Sequence, residues 1–104
     1  MARVVEARTA WSRMVGLLAH ANLPAGEGLL LEPAWSIHTW FMRFSIDVVF
    51  LDRDRRVLAV FPSLPPWRLV SGTRKATTVL EFGAGTLDRT PLHPGDILTL
   101  APTE

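Results

Sequence analysis

The sequence predicts a mainly-β single domain: a compact β-sandwich or barrel of about 7–8 short strands with one N-terminal amphipathic helix packed on it. Two observations predict this fold class. Short β-branched and aromatic runs alternate with proline, glycine and charged turns along most of the chain. Apolar residues recur at convincing helical spacing in only one stretch, near the N-terminus.

The composition is that of one globular domain. At 104 residues, 48% of them hydrophobic, the chain is long enough for a single core. A net charge of +1, with acidic residues among the arginines at 52–56, predicts no nucleic-acid partner. The absence of cysteine excludes disulfides, thiolate metal sites and cysteine nucleophiles. A charged N-terminus and no apolar run of about 18 residues predict a cytoplasmic protein that does not enter a membrane.

The predicted elements begin with a strand at residues 3–8, and the helix follows. Its apolar face consists of residues at positions i, i+3, i+4 and i+7, namely Trp11, Met14, Val15 and Leu18. We expect Thr9 or Ser12 to cap its first turn, and Asn22 with Pro24 to end it.

The rest of the chain has the pattern of a β protein. Residues 45–51 are β-branched or aromatic on both faces, which predicts a central strand buried on both sides. The charged turn at residues 52–56 leads into an apolar run at 57–61, so these two runs should form a hairpin. Prolines at positions 62, 65 and 66 predict a rigid loop. Further strands are predicted at residues 77–82 and 97–100.

Asp47 is the clearest candidate for a functional residue. Alternation places its carboxylate on the same strand face as Val49 and Leu51, where a charge loses its hydration. Either backbone N–H groups of a neighbouring loop replace the water, which is the interpretation we favour, or the carboxylate belongs to a catalytic or ligand-binding site.

Two other titratable side chains extend this hypothesis. Glu81 could form an acid/base pair with Asp47 if the two carboxylates met. His38 permits a nucleophilic triad with Ser36, Thr39 or Ser45 as the attacking group, although no nucleophile-elbow motif accompanies them. The histidines at positions 20, 38 and 93 lack metal-ligand spacing, so we predict no metal and no cofactor. A zinc site built from His38, His93 and an acid is the minor alternative.

Turn residues and tryptophans complete the list of candidates. The glycines at 83 and 85 lack the remainder of a phosphate-loop motif and predict a tight turn, as does Gly95 with Asp96. Three tryptophans at 35, 40 and 67 either line a groove or fill the core, and we expect at least two of them in the core.

Several ordered motifs resemble the domain-of-unknown-function 192 family. They are IHTWFMRFSIDVVFLD at residues 37–52, LPPWR at 64–68, VLEFGAGT at 79–86, the closing GD at 95–96 and, upstream, SRMVGLL at 12–18. The resemblance covers nearly the whole chain. It implies a small mainly-β fold and no established activity.

The resemblance also implies a set of shared site residues, which are His38, Thr39, Met42, Asp47, Glu81 and Asp96. The sequence departs from the family pattern at two positions. Ser45 stands where proline is frequent, and Arg55 stands where glycine is usual in the hairpin turn. The second departure raises a question about the tight turn predicted at residues 52–56.

Three functions are compatible with these residues. The first is a binding module with a pocket around Asp47 that holds a small polar ligand or a peptide. The second is a protein-interaction or adaptor domain that uses an exposed strand edge or the loop at residues 62–67. The third is a hydrolase-type enzyme that uses Asp47 or Glu81 with His38.

Overall fold

A computed structural model describes residues 2–10, 28–40 and 42–102 of the chain. These residues contain eight strands and one short helix, α1 (Thr86–Arg89). The strands are β1 (Ala2–Ala10), β2 (Gly28–Leu31), β3 (Ser36–His38), β4 (Ile46–Leu51), β5 (Val57–Leu64), β6 (Leu69–Ser71), β7 (Thr78–Gly83) and β8 (Ile97–Pro102). The prediction of a mainly-β domain is confirmed.

Six strands form one mixed sheet in the order β5-β4-β7-β2-β1-β8, and β3 pairs with β6 in a separate antiparallel ribbon. The two edge strands of the large sheet, β5 and β8, approach each other where Arg56 forms an isolated β-bridge with Ile97. Beside this bridge the Val57 N–H donates to the Asp96 carbonyl at 2.7 Å, and the Leu98 N–H donates to the Arg55 carbonyl at 2.9 Å. The sheet therefore curls until its edges touch, which favours the barrel over the sandwich.

Strand β4 is the buried centre of the large sheet, as its two-sided apolar pattern predicted. All six of its residues are buried, and it pairs with β5 on one side and β7 on the other. The predicted hairpin to β5 is also confirmed. Arg55 has the left-handed φ of 64° in its turn, which explains why glycine suits this position. Asp52 Oδ1 closes the turn by accepting the N–H groups of Asp54 and Arg56.

The large sheet separates two apolar clusters. The first lies between the sheet and the ribbon, and its members include Leu29, Ile37, Ile46, Val48, Phe50 and Val79. The second lies on the opposite face, and its members include Val49, Leu51, Val57, Leu80, Phe82, Leu87 and Leu98. Residues from both sheet edges share the second cluster, so this cluster fills the inside of the curled sheet.

Several predicted elements differ from the structure. The predicted helix, at residues 11–18, lies outside the described residues, and Thr9, one of its two proposed caps, belongs to strand β1. Among the described residues the helix is α1, which is not N-terminal and was not predicted, because four residues cannot display a helical period. The prediction that Pro62 starts a loop is wrong, because β5 is an edge strand and continues to Leu64. In the part of the chain that the structure describes, no helix is long and apolar enough to cross a membrane.

Candidate functional site

The Asp47 carboxylate binds backbone groups of two other elements. The side chain is 1% exposed, and its Oδ1 accepts the N–H of Ser63 at 2.8 Å. Its Oδ2 accepts the N–H of Leu87, in the first turn of α1, at 2.8 Å. Hydrogen bonds from both donors replace the lost hydration, so the buried charge joins β4 to β5 and to α1.

Asp47 and Glu81 lie on opposite faces of the large sheet. In the β4–β7 pairing Asp47 is opposite Phe82, and Glu81 is opposite Val48. Because directly paired residues share a face and successive residues alternate, Asp47 faces the inside of the curled sheet and Glu81 faces the ribbon. The structure does not bring the two carboxylates together as an acid/base pair.

Glu81 is a fully buried carboxyl on the ribbon side of the large sheet. The side chain is 0% exposed and lies on the sheet face that carries Leu29, Val48 and Val79. Burial raises the pKa of Glu81 well above its usual value, because the charged form loses its hydration.

Thr39 connects the end of β3 to the segment that precedes β6. Its hydroxyl donates to the carbonyl of Pro65 at 2.7 Å and accepts the N–H of Arg68 at 2.9 Å. Its own N–H donates to the Arg68 carbonyl at 2.8 Å, and its carbonyl accepts the N–H of Trp67 at 3.1 Å. This fully buried threonine thus anchors the segment that precedes β6 to the end of β3.

The two buried polar residues hold the same segment, residues 63–68. Asp47 binds its beginning at Ser63, and Thr39 binds it from Pro65 to Arg68. Ser63 and Trp67 have the left-handed φ values of 51° and 64°, which non-glycine residues rarely adopt. The polar network therefore compensates for strain of order 1–3 kcal/mol per residue and fixes the direction in which Trp67 leaves the backbone.

The other candidate residues are spread over the molecule. His38 stacks on Trp40 with ring centroids 5.1 Å apart, and its buried Nδ1 has no hydrogen-bond partner among the described residues. Met42 belongs to the first apolar cluster. Asp96 stands in the turn before β8, where its Oδ2 accepts the N–H of His93 at 2.9 Å. The described residues contain no group of three or more His, Cys, Asp or Glu side chains that could hold a metal ion.

The ribbon displays large apolar side chains to solvent. Trp35, Trp40 and Trp67 are 46–59% exposed, so the expectation that at least two of them fill the core is wrong. Leu69, in β6, is 64% exposed. These four side chains flank or belong to the ribbon, and we call them the ribbon surface. Exposed apolar side chains gathered on one small element are typical of an interaction site.

Basic side chains occur in the same two stretches of sequence as the ribbon surface. Arg43, Arg68, Arg74 and Lys75 are exposed, and none of them forms an ion pair with any other residue that the structure describes. Residues 33–46 and 62–76 contain no Asp or Glu. The distribution of charge along the sequence contained this signal, although the net charge of +1 concealed it.

Comparisons with known proteins identify the family. A family model described as "Uncharacterized ACR", the domain-of-unknown-function 192 family, matches residues 1–100. The chain therefore belongs to this family, as the ordered motifs predicted.

Two relatives carry the name UPF0127 protein. The one from Thermococcus kodakarensis is 36% identical over 69 residues, which are 66% of this chain and 43% of that protein. The one from Thermococcus sibiricus is 33% identical over 98 residues, which are 90% of this chain and 63% of that protein. The chain spans less than two thirds of the length of either relative.

Two solved structures have a similar fold. One is a protein of unknown function from Novosphingobium aromaticivorans, with a TM-score of 0.71 and 22% identity over 92% of this chain and 71% of that one. The other is a protein from Sinorhizobium meliloti, with a TM-score of 0.71 and 23% identity over 89% of this chain and 78% of that one. Similarity at this level of identity shows the fold alone.

Proposed function

We propose that this domain is a protein-interaction module that binds an extended, acidic segment of a partner protein along strand β6. The observation that carries the proposal is an exposed strand edge with aromatic side chains beside it, in a stretch of sequence whose cations have no ion-pair partner among the described residues. This proposal combines the peptide ligand of the first hypothesis with the exposed strand edge of the second.

The edge of β6 has backbone groups available for another strand. In the ribbon the Gly72 N–H donates to the Trp35 carbonyl, and the Thr39 N–H donates to the Arg68 carbonyl. Hydrogen-bonded pairs alternate with non-bonded pairs in an antiparallel ladder, so the backbone groups of Leu69 and Ser71 point away from β3. Both residues are exposed, and an extended peptide can therefore add to this edge.

Charge complementarity makes the partner segment acidic. The four basic side chains in the same stretches of sequence as the ribbon surface have no ion-pair partner among the described residues, and neither stretch contains a carboxylate. Acidic side chains on one face of an extended peptide would meet these cations, while apolar side chains would meet Leu69 and Trp67. Such an interface is small, so we expect weak binding that decreases as salt increases.

The buried polar residues give the surface its rigidity. Asp47 and Thr39 fix residues 63–68, and this segment leads directly into β6. A surface held in its binding geometry before the partner arrives loses less conformational entropy on association. In this interpretation the motif residues Thr39 and Asp47 serve function by positioning the loop.

A pocket for a small polar ligand at Asp47 and a hydrolase activity have less support. Both oxygens of Asp47 already accept backbone N–H groups, which leaves the carboxylate poorly placed to hold a small polar ligand. A hydrolase that used both Asp47 and Glu81 would need the two carboxyls on the same side of the large sheet, and they lie on opposite sides.

The test is a binding titration with a fluorescently labelled peptide of alternating glutamate and valine. The same peptide with lysine in place of glutamate controls for charge, and a single-stranded oligothymidylate tests the competing nucleic-acid interpretation. We expect saturable binding of the acidic peptide, and amide shifts in the NMR spectrum at Leu69 and Ser71. Preference for the oligothymidylate, or equal binding of both peptides, would overturn the proposal.

A variant pair separates the edge from the general surface. Leu69→Glu places a negative charge on the exposed edge strand and should reduce binding of the acidic peptide by about tenfold or more, a change of about 1.4 kcal/mol. Thr99→Glu makes the same kind of change on an exposed position of β8 and should leave binding unchanged. Equal effects of the two variants would contradict an interaction at β6.

A further inference from the structure

We infer that an open cavity at the end of the ribbon binds a carboxylate attached to an apolar group, and that it anchors one end of the partner segment. This inference rests on the proposed function, because it assigns a specific contact to the same partner. The cavity has a volume of about 360 Å³ and is lined by Trp35, Gly72, Thr73, Arg74 and Ala76.

The cavity lies at the end of the ribbon where β6 stops. Gly72 follows the last residue of β6 directly, and its N–H donates to the Trp35 carbonyl at 2.7 Å. Residues 73–76 then turn back, with the Ala76 N–H donating to the Thr73 carbonyl at 3.0 Å. The turn that follows Ser71 therefore forms one side of a cavity that begins directly after β6.

The floor of the cavity is closely packed. A Cβ atom on Gly72 would lie 2.6 Å from Ala76 Cβ and 2.9 Å from Phe50 Cδ1. Only glycine permits this approach, and it lets the turn at residues 73–76 fold onto the first apolar cluster. The floor is therefore apolar and fixed by the core below it.

The walls supply an aromatic ring and a cation. Trp35 is 59% exposed and presents its indole to solvent. Arg74 is exposed, and it has no ion-pair partner among the described residues. A guanidinium can hold a carboxylate through two parallel hydrogen bonds, and the indole and the apolar floor fit the group that carries the carboxylate. The volume lies at the lower end of the range for pockets that bind small molecules.

A carboxylate of this kind has two sources in a peptide, the C-terminus and an acidic side chain. N-acetyl-leucine represents the C-terminal residue, and the α-amide of N-acetyl-glutamate represents the side chain. N-acetyl-leucinamide has the apolar group without the charge. Each probe is titrated into the whole chain while the Gly72 amide and the Trp35 indole N–H signals are followed by NMR.

We expect saturable shifts of both signals with one or both carboxylates, and none with N-acetyl-leucinamide. Arg74→Gln should weaken the carboxylate binding by about tenfold or more, since it removes a charge-assisted pair of hydrogen bonds. Lys75→Gln removes the same charge from the neighbouring residue, which does not line the cavity, and should have little effect. Equal shifts with N-acetyl-leucinamide, no shifts, or shifts that persist in Arg74→Gln would overturn the inference.

The edge variant distinguishes the two proposals. Leu69→Glu should weaken binding of the long acidic peptide by about tenfold or more and leave the shifts caused by the small carboxylate unchanged, because Leu69 does not line the cavity. If the small carboxylates bind and the long peptide does not, the proposed interaction at β6 is refuted and carboxylate binding in the cavity stands. If the long peptide binds with equal affinity to wild type and Arg74→Gln, the cavity is not its anchor.

Discussion

Removal of the Asp47 carboxylate should destabilise the whole domain. Two hydrogen bonds from backbone N–H groups end on this buried charge, and each charge-assisted bond contributes about 1.5–3 kcal/mol, so Asp47→Ala should cost about 3–6 kcal/mol. Asp47→Asn keeps one acceptor oxygen but turns an amide NH₂ toward the other donor, and should cost about half as much.

Urea denaturation followed by tryptophan fluorescence measures this cost. Asp54→Ala is the matched control, because Asp54 is an exposed aspartate in the β4–β5 turn. Amide hydrogen exchange adds a specific readout, since the N–H groups of Ser63 and Leu87 should lose protection before the rest of the sheet. If Asp47→Ala lies within about 1 kcal/mol of the control, the carboxylate does not have the role that its hydrogen bonds indicate.

Three further predictions concern Thr39, Glu81 and Gly72. Thr39→Val removes the hydroxyl that holds residues 65–68 and should cost about 1–3 kcal/mol in urea denaturation, whereas Thr39→Ser should retain most of the stability. The pKa of Glu81 is higher in the folded state than in the unfolded state. The protonated carboxyl therefore gives its full contribution to stability below the unfolded-state pKa, and this contribution is lost as pH rises through the folded-state pKa. Glu81→Gln should therefore flatten the fall in stability with rising pH, and a fall as steep as that of the wild type would contradict this assignment. Gly72→Ala should cost about 1–3 kcal/mol of stability through overpacking against Ala76, and the denaturation midpoint should fall. An unchanged midpoint would mean that the turn at residues 73–76 shifts to make room for the added methyl group.

The sequence predicted those parts of the fold that long apolar runs determine. Alternation correctly placed Asp47 on the face of Val49 and Leu51, because successive side chains of a strand point to opposite faces. The same pattern predicted the hairpin between β4 and β5. A strand of three residues, such as β6, is too short to display a period, so the ribbon was not predicted.

The candidate site was less predictable because composition does not show whether a side chain faces the core or solvent. Tryptophans in a small domain fit the core and the surface equally well, and only the structure shows the three tryptophans of the ribbon surface facing solvent. The left-handed backbone at Ser63 and Trp67 also gave no signal, since neither residue is the glycine that usually marks such a position. The absence of carboxylates from residues 33–46 and 62–76 was visible from the start, but its meaning depended on the two segments sharing one surface.

The end of edge strand β5 has few free backbone donors, which opposes pairing with a second copy of the domain. A protein that offers one strand for docking risks stacking copies end to end if a second long, flat edge is open. Pro62 has no N–H to donate, and the Ser63 N–H is already bound to Asp47, so this margin of the large sheet makes a poor template for another copy. The Asp47 carboxylate thus also removes a backbone donor from the edge of the large sheet.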